Sequence, residues 1–254
     1  MPMSLTLAPD ESAITTALGA FLNGIGLICT VPQAAVECVL GQGNRVPEPQ
    51  GPDYVVTWPL RRDRIATNVD EYQDCTFIGS IADEVMTVSV VTLGAIEAGG
   101  PVFGPTVAAG TYVVEQSTGP DGGAGTYSVN IPQNVASGPL AGGTKTVTQS
   151  ISLALQMDVH GPNSSDNAQL ISTLLRDEYG VDAFAAIEAT GGTVTPLYTS
   201  DPKQVPFVNA EKQFEDRYIV EAVLQCDQSV SNVPQQFFDG ATITGISVEA
   251  AVAG

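Results

Sequence analysis

The sequence has few basic residues. Lys and Arg together number 9 against 28 Asp and Glu, so the formal net charge is −19 over 254 residues. Nucleic acids and anionic lipid surfaces are bound through clustered Lys and Arg. The composition therefore argues against a nucleic-acid-binding surface and against attachment to a membrane surface. Hydrophobic residues still make up 43% of the chain, which is enough for a folded core.

Long apolar segments are also missing. No apolar run approaches the roughly 20 residues that a membrane-spanning helix needs. The stretch from Met1 to Ala13 contains neither a basic region nor an apolar core, so we expect no secretory signal.

Histidine occurs once, as His160 in the sequence Asp158-Val159-His160. An Asp-x-His pair could provide two metal ligands or an acid–base pair, but a single His leaves a transition-metal site short of ligands. The favoured interpretation is a turn residue after a strand. The chain has no G-x-S-x-G elbow, no Walker loop and no EF-hand loop. We therefore expect no enzymatic activity, no cofactor and no metal site, and a hydrolase that uses His160 is the least supported alternative.

The cysteines form no recognisable metal or redox motif. No C-x-x-C occurs, and we expect four reduced thiols packed as small hydrophobic residues, at Cys29, Cys38, Cys75 and Cys226.

Two flanking regions predict alternating helices and strands. Apolar residues at helical spacing follow Asp10, and Ser164 or Ser165 can cap a helix that runs to Tyr179, with Gly180 as its stop. Strands are expected at 54–58, where Pro59 ends the strand, at 150–159, at 217–225 and at 243–252. The apolar segment 27–39 is expected to form a strand, a turn at Pro32 and a second apolar element, and a loop follows at 41–47.

The composition changes between the flanks. Residues 76–143 hold 13 of the 26 glycines and no Lys or Arg. Short strand-like runs alternate there with Gly- and Pro-containing turns, a pattern typical of a small all-β domain. We therefore predict an α+β fold, a mixed sheet with packed helices, whose discontinuous domain (1–75 and 144–254) carries an inserted β-sandwich-like domain (76–143).

Arginine is concentrated in one place. Arg61, Arg62 and Arg64 are three of the nine basic residues, and Arg is favoured at interfaces because it pairs with carboxylates through two hydrogen bonds. The alternative is a solvated face. Intrachain pairing is the alternative for the mixed clusters that complete the candidate subunit-interface set: Asp158, Arg176, Asp177, Glu215, Asp216 and Arg217.

Three blocks of sequence resemble the phage neck (tail) terminator family. The first joins 41–47 and 53–56 to 64–70, the second runs through 156–162, 167–168 and 176–179, and the third combines 196–198, 201–202, 206–209 and 211–217. Their order and number carry the resemblance, which covers roughly 5–75 and 144–250. The segment 76–143 is similar to small β-domains repeated in phage tail and virion proteins.

The resemblance implies a structural virion protein. Terminators of long-tailed phages form a ring, usually a hexamer, at the head-proximal end of the tail tube, where they stop tube polymerisation and join the tail to the head connector. The implied partners are further copies of the chain, the tail tube protein and head-completion proteins. DNA would pass through an acidic lumen without specific binding. The alternative is a decoration protein or adhesin that binds through the β-insert, which aromatic residues exposed at one end of the insert would favour.

Overall fold

The structure is mostly β. It is a computed structural model that describes residues 1–41, 49, 51–187, 190–191, 193–208 and 214–235. Strands account for 54% of it and helices for 16%, and its main feature is a large mixed sheet. The predicted α+β fold with packed helices is therefore wrong. Pro59, which was predicted to end a strand, lies inside a strand that runs from Tyr54 to Arg64.

Three helices and twelve strands lie in these described ranges. The helices are α1 (Glu11–Gly24), α2 (Ser164–Leu175) and α3 (Glu178–Ala185). The strands are β1 (Thr6–Ala8), β2 (Glu37–Leu40), β3 (Tyr54–Arg64), β4 (Val69–Leu93), β5 (Val102–Phe103), β6 (Val113–Thr118), β7 (Gly125–His160), β8 (Val194–Thr199), β9 (Lys203–Gln204), β10 (Phe207–Val208), β11 (Phe214–Glu215) and β12 (Arg217–Pro234). None of the helices within these ranges is long and apolar enough to cross a membrane. Residues 42–47 of the predicted loop at 41–47, and the predicted strand at 243–252, lie outside the described residues.

The chain divides into two compact units. The β unit contains Met1–Leu5, Glu71–Thr146 and the described residues after Val230, and the α/β unit contains Thr6–Asp70 and Val147–Val230. Each unit has its own cluster of buried hydrophobic residues. The domain boundaries at 76 and 143, and the independent folding of the insert, stay predictions.

The sheet of the α/β unit runs in the order β1-β12-β7-β3-β2, and β8 and β9 also pair with β12. Strands β2 and β3 pair in parallel, while β3 with β7 and β12 with β8 are antiparallel. Alternate residues of β7 from Ile151 to Val159 are buried in the core, as the alternation in the sequence predicts. The predicted buried face of α1 also packs in this core, through Ile14, Leu18, Phe21 and Leu22.

Strand β3 does not end at Pro59 as predicted. It continues to Arg64, because its pairing with β7 shifts between Pro59 and Arg61. Proline has no backbone N–H group to donate, and it is tolerated in a strand where the hydrogen-bond ladder is irregular. The bulge therefore places the whole arginine cluster on a strand.

The predicted helix 164–179 is two helices. Helix α2 ends at Leu175, and Asp177 caps α3 by accepting a hydrogen bond from the backbone N–H of Tyr179 at 3.0 Å. Gly180 lies inside α3 and is not a stop. A Cβ atom there would stand 2.6 Å from the carbonyl oxygen of Leu174, so this glycine permits the close approach of the two helices.

The β unit is built around β4 and β7. The Thr92 hydroxyl donates to the Thr76 carbonyl at 2.9 Å, so β4 doubles back near Asp83, which has a φ of 60°. The four strand-like runs predicted for the insert, at 76–81, 85–91, 112–116 and 126–131, lie in β4, β6 and β7, except that Tyr112 precedes β6. Gly143 lies directly against the backbone of Gln73 and Asp74, so the two ends of the predicted insert are close together.

Candidate functional site

The predicted arginine cluster occupies the second half of β3. Arg61 pairs with Asp63 at 2.9 Å, and its side chain is 73% exposed. Arg62 pairs with Glu11 of α1 at 3.3 Å, and Arg64 donates to the carbonyl of Ala66 at 2.8 Å. Exposed pairs of this kind contribute about 0–1 kcal/mol each, so the three guanidinium groups can exchange partners at little cost.

Asp158 and Arg217 form the best-connected ion pair of the α/β unit. The Arg217 guanidinium donates to Asp158 Oδ2 at 2.6 Å, and the Trp58 indole N–H donates to the same oxygen at 3.0 Å. The Gln156 amide donates to Asp158 Oδ1 at 2.7 Å. Only 6% of the Asp158 side chain is exposed. The structure therefore joins two predicted interface residues to each other, and it adds Trp58, which the sequence did not single out.

His160 is the last residue of β7 and is buried, so it is not the turn residue that the sequence suggested. Its ring stacks on Tyr54, its direct cross-strand partner, with centroids 4.5 Å apart. Its Nδ1 lies 3.4 Å from Glu215 Oε1. Burial, together with the charge of Arg217, lowers the pKa of His160, although the carboxylates of Glu215 and Asp158 raise it. Among the described residues, no group of three His, Cys, Asp or Glu side chains could hold a metal ion.

The remaining predicted interface residues lie at two places. Glu215 and Asp216 lie beside the buried pair, where the Asp216 carbonyl accepts a hydrogen bond from Gly161 at 3.0 Å. Arg176 follows α2 and donates to the Thr199 carbonyl and to Asp201, the latter at 2.8 Å. Asp177 caps α3. The interface assignment of these residues stays a prediction.

Two buried polar side chains position the loop before β2. Asn167 of α2 accepts from the N–H of Ile28 at 2.7 Å and donates to its carbonyl at 2.8 Å, as a neighbouring strand would. Asp53 accepts from the N–H groups of Thr30 and Asn163 at 2.7 and 2.9 Å. Burial raises the pKa of Asp53, but its hydrogen bonds outweigh this and hold the pKa below its ordinary value. These contacts explain why the apolar residues before Pro32, expected as a strand, need no strand partner.

The aromatic residues of the predicted insert do not form an exposed group. Phe77 and Tyr127 are buried in the core of the β unit, and Phe103 and Tyr112 are half-buried. The feature that would favour an adhesin is therefore not found. The cysteines are all free, as predicted, and burial raises the pKa of Cys38, Cys75 and Cys226 to about 11.

Comparison with known families decides the identity. A family model described as Phage neck terminator protein matches residues 104–249. The chain belongs to this family. No curated protein matches the chain. As a phage neck terminator, the protein has a structural role in the neck of the virion.

The matched residues of the neck terminator include two of the three blocks that carry the resemblance. They contain Asp158, Arg176, Asp177 and the segment 215–217, but not the arginine cluster. The match begins at residue 104, inside the predicted insert, so the family pattern includes part of that segment.

Proposed function

We propose that this neck terminator forms a ring, most simply a hexamer, at the head-proximal end of the phage tail tube. There it ends tube polymerisation and joins the tail to the head connector. The observation that carries the proposal is the family match over 104–249. The partners are further copies of the chain, the tail tube protein and head-completion proteins.

The charge of the chain supports a channel that DNA crosses without specific binding. Each copy carries a formal charge of −19, and an acidic wall repels the phosphate backbone. A surface that binds DNA would need clustered Lys and Arg.

The same charge makes local basic contacts necessary for assembly. Identical copies at −19 repel each other, and the cluster of Arg61, Arg62 and Arg64 can offset this repulsion at a contact. Asp158 and Arg217 would contribute indirectly, because their ion pair fixes the start of β12, directly after Glu215 and Asp216.

A purified-protein experiment tests the proposal. We expect native mass spectrometry of the full chain to give one closed oligomer and electron microscopy to show rings. Phage that lack the chain should accumulate heads and tails that are not joined, since assembly in the host cytoplasm would stop at that step. A monomer that decorates finished virions would contradict the ring and favour the decoration alternative.

A further inference from the structure

We propose that copies of the chain join head to tail through the two opposite edges of the sheet in the α/β unit. The basic edge, residues Leu60–Arg64 of β3, contacts the acidic edge of the next copy, which consists of Glu178, Asp182 and Asp201. This inference rests on the proposed ring and names the surfaces that would close it.

Strand pairing places these surfaces on opposite sides of the sheet. Arg61–Arg64 pair with β7 at Ile151–Ala154. Strand β12 pairs with β7 on the side opposite β3, and β8 pairs with β12 at residues 222–226. Strand β2 covers β3 only at Tyr54–Thr57. Within the part of the chain that the structure describes, no other strand pairs with the outer side of Leu60–Arg64 or of β8.

Both open edges are protected against indiscriminate pairing. Pro59 and a bulge precede the arginines on β3, and Pro196 lies at the bulge in the pairing of β8 with β12. Prolines, bulges and charged side chains at the edge of a sheet hinder backbone pairing with other strands. Another chain can therefore bind such an edge only if its side chains are complementary. Selectivity at these edges must therefore come from the charged residues.

The basic edge combines positive charge with exposed apolar surface. It carries three arginines and one carboxylate, Asp63. Leu60 is half exposed, and Ile65, directly after the strand, is exposed to a similar extent. Arg64 donates to the Ala66 carbonyl, and among the described residues no carboxylate lies within ion-pair distance of its guanidinium.

The acidic edge combines negative charge with exposed apolar surface. Helix α3 packs against β8, and Glu178 and Asp182 are exposed on the same face of that helix, four residues apart. Val181, between them, is also exposed. The Asp201 side chain, two residues after β8, is 86% exposed although it pairs with Arg176.

Charge complementarity and the positions of the two edges identify the partner that binds each edge as a second copy of the chain. A chain with 28 acidic and 9 basic residues has one place where three arginines occur within four positions, and its complement lies on the far side of its own sheet. A contact between two different surfaces of identical subunits repeats head to tail, and it closes into a ring when the rotation permits. A ring therefore needs no additional protein at these edges.

Charge reversal on each edge tests the contact. The variant Arg61→Glu/Arg64→Glu and the variant Glu178→Arg/Asp182→Arg should each shift the full chain from the oligomer to the monomer in native mass spectrometry at micromolar concentration. A chain with all four changes should assemble again, because both edges have exchanged sign. A mixture of the two monomeric variants should assemble with equal amounts of each.

The control is Glu84→Arg/Glu115→Arg, which makes the same change in charge as Glu178→Arg/Asp182→Arg at two exposed positions of the β unit and should assemble like the parent. If a reversal variant fails to fold, Arg64→Gln and Asp182→Asn replace it, each with an expected weakening of self-association of about ten-fold. Two reversal variants that assemble like the parent, or a four-site variant that folds but stays monomeric, overturn this contact and leave the ring intact. A monomeric parent chain overturns the ring itself.

Discussion

At the scale of single residues, Asp158 is a buried charge with several hydrogen-bond donors in the α/β unit. Its carboxylate accepts hydrogen bonds from Arg217, Trp58 and Gln156. Removing one partner of a buried ion pair leaves the other charge uncompensated. Asp158→Ala should therefore lower the free energy of unfolding by about 3–5 kcal/mol.

Trp58 is the single tryptophan of the chain, so its fluorescence in a urea titration reports on this unit directly. The control is Asp63→Ala, which removes an exposed pair and should cost about 0–1 kcal/mol. If Asp158→Ala and Asp63→Ala lower the free energy of unfolding equally, the buried pair contributes no more to stability than an exposed pair does.

Asp53 gives the same unit a measurable pH dependence. Its pKa in the folded chain lies below the ordinary value of 3.8, so the carboxylate stabilises the fold above about pH 4. This contribution is lost as the pH falls through the lowered pKa. The stability difference between the parent and Asp53→Asn, measured by urea titration, should therefore shrink below pH 4. A difference that is constant from pH 3 to pH 7 would contradict the assignment.

At the scale of secondary-structure elements, two glycines in helices should respond oppositely to the same change. Gly19→Ala in α1 places a methyl group in open space and should stabilise the chain by about 0.5–1 kcal/mol, as helix propensity predicts. Gly180→Ala in α3 places the methyl group 2.6 Å from the Leu174 carbonyl and should destabilise it by about 1–3 kcal/mol. Thermal melts of both variants check the prediction, and stabilisation by Gly180→Ala would show that the contact is not tight.

Elements with regular apolar spacing were predictable from the sequence, and their ends were not. The buried face of α1 and the alternating face of β7 follow from periodicity alone. The extension of β3 beyond Pro59 depends on a shift in pairing with a strand about 90 residues away. The end of α2 depends on the cap that Asp177 provides for the next helix. The shift in strand pairing is not contained in the local sequence. The Asp177 cap is a local signal, and the prediction of one continuous helix overlooked it.

The candidate site was predictable in part for the same reason. The sequence singled out charged residues, and the structure joins Asp158 to Arg217. Trp58 and Asn167 carry no signal in the sequence, because each acts on a partner that only the fold brings close.

At the scale of the whole molecule, the two hydrophobic cores predict that the insert can be removed. The core of the α/β unit contains no residue from 76–143, and all but Cys75 of the buried core of the β unit come from that segment. Replacing 76–143 by a short Gly/Ser bridge should leave a soluble chain with the fluorescence of folded Trp58, since Gly143 already lies beside Asp74. Loss of folding on this deletion would contradict independent units.

The central claim, a ring of this neck terminator between tail tube and head, is tested most directly by electron cryomicroscopy of virions with an affinity tag on the chain. The account predicts tag density as a closed ring at the head–tail joint, at the end of the tail tube. Tag density spread over the capsid surface or along the tail, with none at the joint, would contradict it.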